Sequence, residues 1–349
     1  MSRVCFLPWQ IADAERLLSD KERLPHAILI CGLAGSGKRE FAQALAASLL
    51  CEDRKSALAC GQCQSCQWVA SGHHPDLKQV RPEAVAAREG LPTQDAESEV
   101  DAATASATPK KLSEEFRVEQ IRALESWYHR TTHRGGWRIV VLYPAQALSV
   151  ISANALLKAL EEPPDNTLFL LTSDAPDRLL PTILSRCQKF ALSIPDPQTS
   201  LQWLMQEGVK EAHDWLAAAG GAPLAALEMA QSVQSACPAW AQQLIEQLSA
   251  GKQPDLAGVA DELAKTSAAS WLAVLQRLSV DVCLTNAGMS ARYFPRLESN
   301  LQRLAKTAKL EKTTELTSWM SQQARLTNHP LSPKLFAQIC LQHFCDALV

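Results

Sequence analysis

The feature that most constrains the fold is a glycine-rich loop at positions 32–39, which reads Gly-Leu-Ala-Gly-Ser-Gly-Lys-Arg. An apolar run at 26–31 predicts a buried strand before the loop, and the pattern after it predicts a helix over Lys38–Leu50. In this order of strand, glycine turn and helix N-terminus, backbone N–H groups bind phosphate. The sequence therefore predicts an α/β domain with a parallel sheet. Its predicted phosphate-binding residues are Gly32, Gly35, Gly37 and Lys38.

The last position of the loop departs from the form that hydrolyses nucleotides. That form ends in Ser or Thr, whose hydroxyl holds Mg²⁺, whereas Arg39 has no acceptor atom and repels a cation. Hydrolysis also needs acidic residues at the end of a later strand. The strand predicted over 139–142 runs into Tyr143-Pro144 instead, and no Asp or Glu occurs between positions 126 and 160. The two losses together predict a chain without hydrolytic activity, and they leave open whether Lys38 binds a nucleotide.

Composition excludes several classes of protein. With 349 residues, of which 47% are hydrophobic, the chain has enough apolar side chains for two or three packed domains. The net charge of −3 argues against a surface that binds nucleic acid everywhere, although a local basic patch would be hidden in this total. No apolar run reaches the roughly 18 residues of a membrane span, and no signal-like run follows Met1. A cytoplasmic location is therefore expected.

Four of the 11 cysteines form a C-x8-C-x2-C-x2-C cluster at 51–66. In a reducing compartment such a cluster favours metal binding over disulfides, and four thiolates satisfy a closed structural zinc site. His73 and His74 lie near enough to substitute for a cysteine. Buried free cysteines, a redox pair and a nucleic-acid-binding zinc ribbon are the alternatives, and the ribbon is disfavoured because only Arg54 and Lys55 are positively charged there. The predicted zinc ligands are Cys51, Cys60, Cys63 and Cys66.

Strands and helices alternate as far as residue 195 and then only helices follow. Residues 81–111 lack an apolar period and predict a disordered insertion. The further strands are predicted at 77–80, 139–142, 168–172 and 188–192, and the helices at 114–128, 152–162, 199–206, 212–219 and 224–234. The predicted domains are the α/β domain at 1–195, a small helical domain at 196–235 and an all-helical domain at 236–349.

Two motifs carry a family resemblance. One is Asn-Ala-Leu-Leu-Lys at 154–158 followed by Leu-Glu-Glu-Pro-Pro at 160–164, and the other is Ser-Arg-Cys at 185–187. With the four cysteines and His-Pro-Asp at 74–76, these motifs closely resemble the bacterial clamp-loader subunits of DNA polymerase III, which are AAA+ proteins. The resemblance covers nearly the whole AAA+ region, and 328–336 resembles, less specifically, the end of the family's helical collar.

The resemblance implies an AAA+ domain with an inserted zinc module, a small helical domain and a collar that joins subunits into a hetero-pentamer. Motor subunits of this family, called gamma or tau, keep a complete phosphate loop, an Asp-Glu pair after the second core strand and an arginine after the second-domain glycines. This chain has Arg39, Tyr143-Pro144 and Leu224 at those positions. It therefore resembles the non-hydrolysing stator subunits, called delta prime.

For a stator, the resemblance implies that Arg186 acts in trans, as an arginine finger, on the ATP site of an adjacent motor subunit. The implied partners are motor and delta subunits, the sliding clamp and, through the complex, primed DNA. The implied cofactor is structural zinc, with ATP or ADP binding left open. The rival interpretation is a motor-type ATPase with an unusual Mg²⁺ site, which the lack of acids after the strand at 139–142 disfavours.

Overall fold

The computed structural model describes residues 4–53, 57–90, 112–128, 131–133, 135–327 and 332–348. The chain divides into two compact units, Met1–Pro195 and Asp196–Val349. The division falls where the predicted strands end. A further division of the second unit into 196–235 and 236–349 stays a prediction. Arg54, Lys55 and part of the segment that resembles the end of the collar lie outside the described residues.

The first unit is built on a parallel sheet, which has five strands in the described part of the chain. The strands are β1 (Ala27–Cys31), β2 (Leu77–Val80), β3 (Arg138–Leu142), β4 (Thr167–Ser173) and β5 (Gln188–Ala191). Their order in the sheet is β2-β3-β4-β1-β5, so the first strand lies between the last two. The register pairs Ala27 with Phe169 across β1 and β4, and Leu77 with Ile139 across β2 and β3.

The central strands β1, β3 and β4 are buried on both faces, which explains why they read as nearly unbroken apolar runs. Ile28 and Ile30 of β1 pack with Phe41 on one face, whereas Leu29 packs with Leu156 on the other. All of these side chains are at most 1% exposed. Seven helices of the described chain cover or flank the sheet: α1 (Ile11–Leu18), α2 (Lys38–Leu50), α3 (Gln64–Ser71), α4 (Glu83–Arg88), α5 (Val118–Tyr128), α6 (Val150–Glu161) and α7 (Pro181–Leu184).

The predicted strands agree with the structure to within one residue at each end, and α2 has the predicted bounds. The prediction of disorder across 81–111 is wrong at its start, because α4 occupies Glu83–Arg88. Burial of Ala86 and an ion pair between Glu83 and Arg117 anchor this helix, and six residues are too few to show an apolar period. Residues 91–111 lie outside the described part.

In its described part, the second unit is entirely helical. One apolar cluster contains Leu204, Trp215 and Ala226, and a second, larger cluster contains Trp271 and Phe344. Gly220 and Gly221 have positive φ and end the helix Ala212–Ala218. The helices are α8 (Pro197–Gln206), α9 (Ala212–Ala218), α10 (Pro223–Ser232), α11 (Ala239–Ser249), α12 (Leu256–Leu263), α13 (Ala268–Asn286), α14 (Glu298–Ala305), α15 (Leu310–Gln323) and α16 (Pro333–Asp346). Among the described residues, no helix is long and apolar enough to cross a membrane.

Candidate functional site

The glycine loop connects β1 to α2 and lies at the carboxyl edge of the parallel sheet, where ligands bind in folds of this kind. Gly35 and Gly37 have φ of 75° and 91°, a conformation that favours glycine over residues with a side chain. The backbone N–H of Ser36 donates to the Leu33 carbonyl at 3.2 Å and closes the turn. The Ser36 hydroxyl is buried and has no hydrogen-bond partner among the described residues.

Two residues near the start of the chain donate hydrogen bonds to this loop. Gln10, only 1% exposed, donates from Nε2 to the carbonyls of Ser36 and Gly37 at 3.1 and 2.8 Å. Trp9 donates from Nε1 to the Ser36 carbonyl at 2.9 Å. These bonds occupy the Ser36 and Gly37 carbonyls and hold the loop in place. Trp9 and Gln10 belong to no motif, so their contacts with the loop are visible only in the structure.

Lys38 already has partners within the chain. Its Nζ donates to the carbonyls of Gly32 and Leu33 at 3.0 and 2.6 Å. It also forms an ion pair with Asp174, which follows β4. The lysine side chain is 6% exposed and that of Asp174 is 43% exposed, so the pair lies at the rim of the site. A phosphate that reaches Lys38 has to replace Asp174.

Arg39, at the position of the usual Mg²⁺ ligand, is bound by two carboxylates. Its Nη1 lies 2.5 Å from Glu89 and its Nη2 lies 2.6 Å from Glu40. Although burial lowers the pKa of the guanidinium, the two carboxylates raise it above its ordinary value. Arg39 is therefore a permanent cation where the hydrolysing loop places a metal ligand. The sequence pattern gave no sign of Glu89, because it follows the short helix α4.

Tyr143, directly after β3, also contacts Glu89 and so joins the group of side chains around Arg39. Its hydroxyl donates to Glu89 at 2.9 Å and accepts from Arg81 at 3.0 Å. Burial is the main reason why the pKa of Tyr143 is raised to about 12, so the hydroxyl remains protonated near neutral pH. A neutral hydroxyl replaces the carboxylate that would bind the metal shell in a motor ATPase. In the described structure, the Arg39, Glu89 and Tyr143 side chains at this edge therefore satisfy one another.

Arg186 lies two residues beyond α7, away from the chain's own phosphate loop in sequence. Its Nη2 is 2.5 Å from the Glu161 carboxylate at the end of α6, and its Nη1 donates to the Thr182 carbonyl at 2.9 Å. The side chain is 32% exposed. Glu161 belongs to the Leu-Glu-Glu-Pro-Pro motif, so the structure joins the two motifs that carry the family resemblance.

The four predicted zinc ligands come together in the structure. Their sulfur atoms all lie within 4.8 Å of one another. The Cys51 and Cys63 sulfurs are 3.9 Å apart, and the Cys60 and Cys66 sulfurs are 4.0 Å apart. A tetrahedral zinc with Zn–S distances of about 2.3 Å places its ligands about 3.8 Å apart. The spacing suits a metal ion and is far too long for a disulfide.

Backbone N–H groups also point at these sulfurs. Cys60 accepts from Gln62 and Cys63 at 3.4 and 3.3 Å, and these bonds lower the pKa of its thiol to about 6. Cys51 accepts from the Cys60 N–H, and Cys63 accepts from the Cys66 N–H, each at 3.4 Å. Such bonds stabilise the thiolate form that binds metals. The residues therefore fit a closed four-thiolate zinc site.

The parallel sheet and the glycine loop after its first strand define an α/β protein of the phosphate-loop class. Within this class, the chain belongs to the family described as "DNA polymerase III, delta subunit", whose family model matches residues 13–196.

Individual relatives agree with this assignment. DNA polymerase III subunit delta' of Pseudomonas aeruginosa is 40% identical over 223 residues, which cover 63% of this chain and 60% of that protein. The Escherichia coli subunit delta' is 33% identical over 64% of this chain and 60% of that protein. The Escherichia coli subunit tau is 32% identical over 53% of this chain and 25% of that protein. The matches span about 60% of the delta' relatives' length, and they confirm the resemblance to delta prime subunits.

Proposed function

We propose that this chain is the stator subunit of a bacterial clamp loader, a subunit that does not hydrolyse ATP itself. The observation that carries the proposal is the network at the phosphate loop: Arg39 and Tyr143 replace the metal-binding groups, and Glu89 binds both of them. Membership of the DNA polymerase III family and the similarity to delta' subunits support it. No Asp or Glu directly follows β3 in the sequence, and the Glu89 carboxylate beside Tyr143 is already paired with Arg39.

Arg186 is the residue that would act on a neighbouring subunit. Its planar guanidinium can form two parallel bonds to a phosphate, whereas in this structure its two terminal nitrogens contact separate groups, the Glu161 carboxylate and the Thr182 carbonyl. Because the pair with Glu161 is partly exposed, it is worth less than about 1 kcal/mol, and a phosphate can replace the carboxylate at little cost. The arginine would then stabilise the negative charge that develops on the transferred phosphoryl group.

The zinc would be held by Cys51, Cys60, Cys63 and Cys66. When bound it supplies a crosslink, because four protein ligands leave no open position for water or substrate. The chain's own contribution is to bring the end of α2, the turn at 60–63 and the start of α3 to one point. We therefore assign this site to stability of the first unit and not to chemistry.

The remaining features of the proposal follow from the family. The first unit would be an AAA+ domain, and 196–235 and 236–349 would be its small helical domain and the oligomerising collar. The partners would be motor subunits of gamma or tau type and a delta subunit in a hetero-pentamer, which opens the sliding clamp and closes it on primed DNA. The location would be cytoplasmic, and occupancy of the loop by ATP or ADP stays open.

The test is reconstitution of the full chain with purified gamma or tau and delta subunits. Arg186→Ala should leave assembly intact and lower the DNA-stimulated ATPase rate, because loss of an arginine finger costs about 10³-fold or more at the site it serves. Arg178→Ala is the matched control, since Arg178 is also exposed and lies eight residues earlier. An unchanged ATPase rate for the Arg186 variant would contradict its role in trans.

The isolated chain separates the stator from the motor-type interpretation. A stator should release no phosphate from ATP in the presence of Mg²⁺. Turnover by the isolated chain that disappears in Lys38→Ala would instead favour a motor ATPase. Failure to join the other subunits would contradict the proposal as a whole.

A further inference from the structure

A buried histidine that is not a predicted ligand lies against the zinc site. His74 is 4% exposed and directly precedes the turn into β2. Its Nε2 lies 2.9 Å from the hydroxyl of Ser65, a residue of α3 that is 1% exposed. The Ser65 hydroxyl is in turn 2.6 Å from the carbonyl of Leu50 at the end of α2. His74 is thus connected by hydrogen bonds to α3 directly and to α2 through Ser65.

The hydrogen positions in this group follow from the available acceptors. The Leu50 carbonyl can only accept, so Ser65 donates its hydrogen there. Ser65 must then accept from His74, which places a hydrogen on Nε2. Nδ1 accepts the backbone N–H of Asp76 at 3.1 Å and carries no hydrogen. The ring is therefore neutral, both of its nitrogens are occupied, and it is not a metal ligand.

Two of the residues joined by these hydrogen bonds directly precede a predicted ligand. Leu50 precedes Cys51, and Ser65 precedes Cys66. Cys60 and Cys63 lie on a single tight turn, where the Cys63 N–H donates to the Cys60 sulfur, and the Cys66 N–H at the start of α3 donates to the Cys63 sulfur. Cys51 and Cys66 come instead from the ends of two separate helices, so a contact between those helices has to set their spacing.

We propose that His74, acting through Ser65, is a positioning residue for the metal site. It fixes the end of α2 against the start of α3, so that Cys51 and Cys66 can complete the tetrahedron formed with Cys60 and Cys63. The inference rests on the zinc site proposed above. The hydrogen bonds from His74 through Ser65 to Leu50 should therefore control the affinity of the site for the metal. They should not change the number of thiolates that bind it.

The experiment measures zinc affinity of the full-length chain by competition with a chromophoric chelator. Partners that orient metal ligands typically contribute about 10 to 100-fold in affinity, so Ser65→Ala and His74→Ala should each weaken zinc binding by that factor. The zinc affinity of the double variant should lie within about threefold of that of His74→Ala, because both changes break the same chain of hydrogen bonds. His73→Ala is the matched control, since His73 is exposed and adjacent.

Two further measurements separate positioning from other roles. Co²⁺ substituted into Ser65→Ala should show the thiolate-to-cobalt absorption of four sulfurs, as in the unchanged chain. Val69→Ala shortens a buried side chain of α3 that belongs to an apolar cluster without any of the four cysteines, and it should leave zinc affinity within about threefold of the original. Equal losses in Val69→Ala and Ser65→Ala would overturn the proposal, because general loosening of α3 would then explain both.

The remaining outcomes are also decisive. Zinc affinity of Ser65→Ala equal to that of His73→Ala overturns the positioning role while the zinc site stands. A purified chain that takes up no zinc overturns the zinc site itself. If His74→Ala fails to fold, Ser65→Ala, which removes a single oxygen atom, decides the question.

Discussion

Two adjacent basic residues at the start of α2 are neutralised by carboxylates of the same chain. Lys38 pairs with Asp174, and Arg39 pairs with Glu40 and Glu89. A phosphate therefore competes with Asp174 for the lysine before it gains the N–H groups of the loop. Among the described residues the Ser36 hydroxyl has no hydrogen-bond partner, so the loop still has an unused polar group. Any nucleotide that the loop takes up should therefore bind weakly, because it must displace Asp174 from Lys38.

Asp174→Asn should strengthen nucleotide binding, because it removes the charge that competes for Lys38 while it keeps the size of the side chain. Since the pair is partly exposed, its loss is worth up to about 1 kcal/mol, or roughly fivefold in affinity. Fluorescence anisotropy with a labelled ATP analogue measures the change.

Asp177→Asn serves as the control for this measurement, because Asp177 lies on the same connection and is exposed. Tighter binding by both variants would mean that net charge, and not release of Lys38, controls affinity. Unchanged binding by both would contradict the competition of Asp174 with phosphate for Lys38.

At the scale of elements, a buried carboxylate organises the connection between α13 and α14. Asp281 lies within α13 and is 0% exposed. It accepts the backbone N–H groups of Arg292, Tyr293 and Phe294 at 2.7 to 3.1 Å. Burial raises the pKa of the Asp281 carboxyl, and the three N–H groups oppose that shift. The carboxylate thus replaces the water that these N–H groups would otherwise bind.

Asp281→Ala should lower the free energy of unfolding by about 3 kcal/mol or more, because it leaves buried N–H groups without acceptors. Urea denaturation of the full chain measures the loss, and amide hydrogen exchange at 292–294 locates it. Asp261→Ala is the control, since Asp261 forms an exposed ion pair with Lys334 at 2.6 Å and should change stability by less than about 1 kcal/mol. Equal losses would contradict the role of Asp281.

The central strands β1, β3 and β4 were predictable because both of their faces are buried. Side chains such as Ile28 and Leu29 face opposite sides, so apolar residues are needed at consecutive positions. The short helices α3 and α4 were not predictable. α3 has only eight residues, most of them polar or small, and α4 is anchored by an ion pair between Glu83 and the distant Arg117.

At the scale of the whole molecule, the two units have separate apolar clusters. The cysteine site belongs to the first unit only, and no described residue of the second contributes a ligand. Metal binding should therefore stabilise one unit and leave the other unchanged, because a ligand stabilises only the structure that forms its site.

Removal of zinc by a chelator should lower the midpoint of the first unit's thermal transition by about 10 °C or more, since each kcal/mol shifts a unit of this size by about 2–4 °C. The transition of the second unit should stay within about 1 °C. Differential scanning calorimetry resolves the two.

Cys60→Ser should reproduce the effect of the chelator, and Cys283→Ser in α13 should not, because Cys283 lies outside the cluster. If both transitions moved together, the units would unfold as one. If neither moved, the four cysteines would not support the fold through a metal.

The sequence by itself determined the order of strand, glycine loop and helix, the four zinc-ligand candidates and the missing Mg²⁺ groups, because each depends on residue type and short spacing. Only the tertiary structure brought Asp174 to Lys38, Glu89 to Arg39 and Tyr143, Glu161 to Arg186, and His74 to Ser65. These partners are 9 to 136 positions apart. The packing of helices on the sheet determines which carboxylate pairs with each cation. The local sequence pattern does not contain that information.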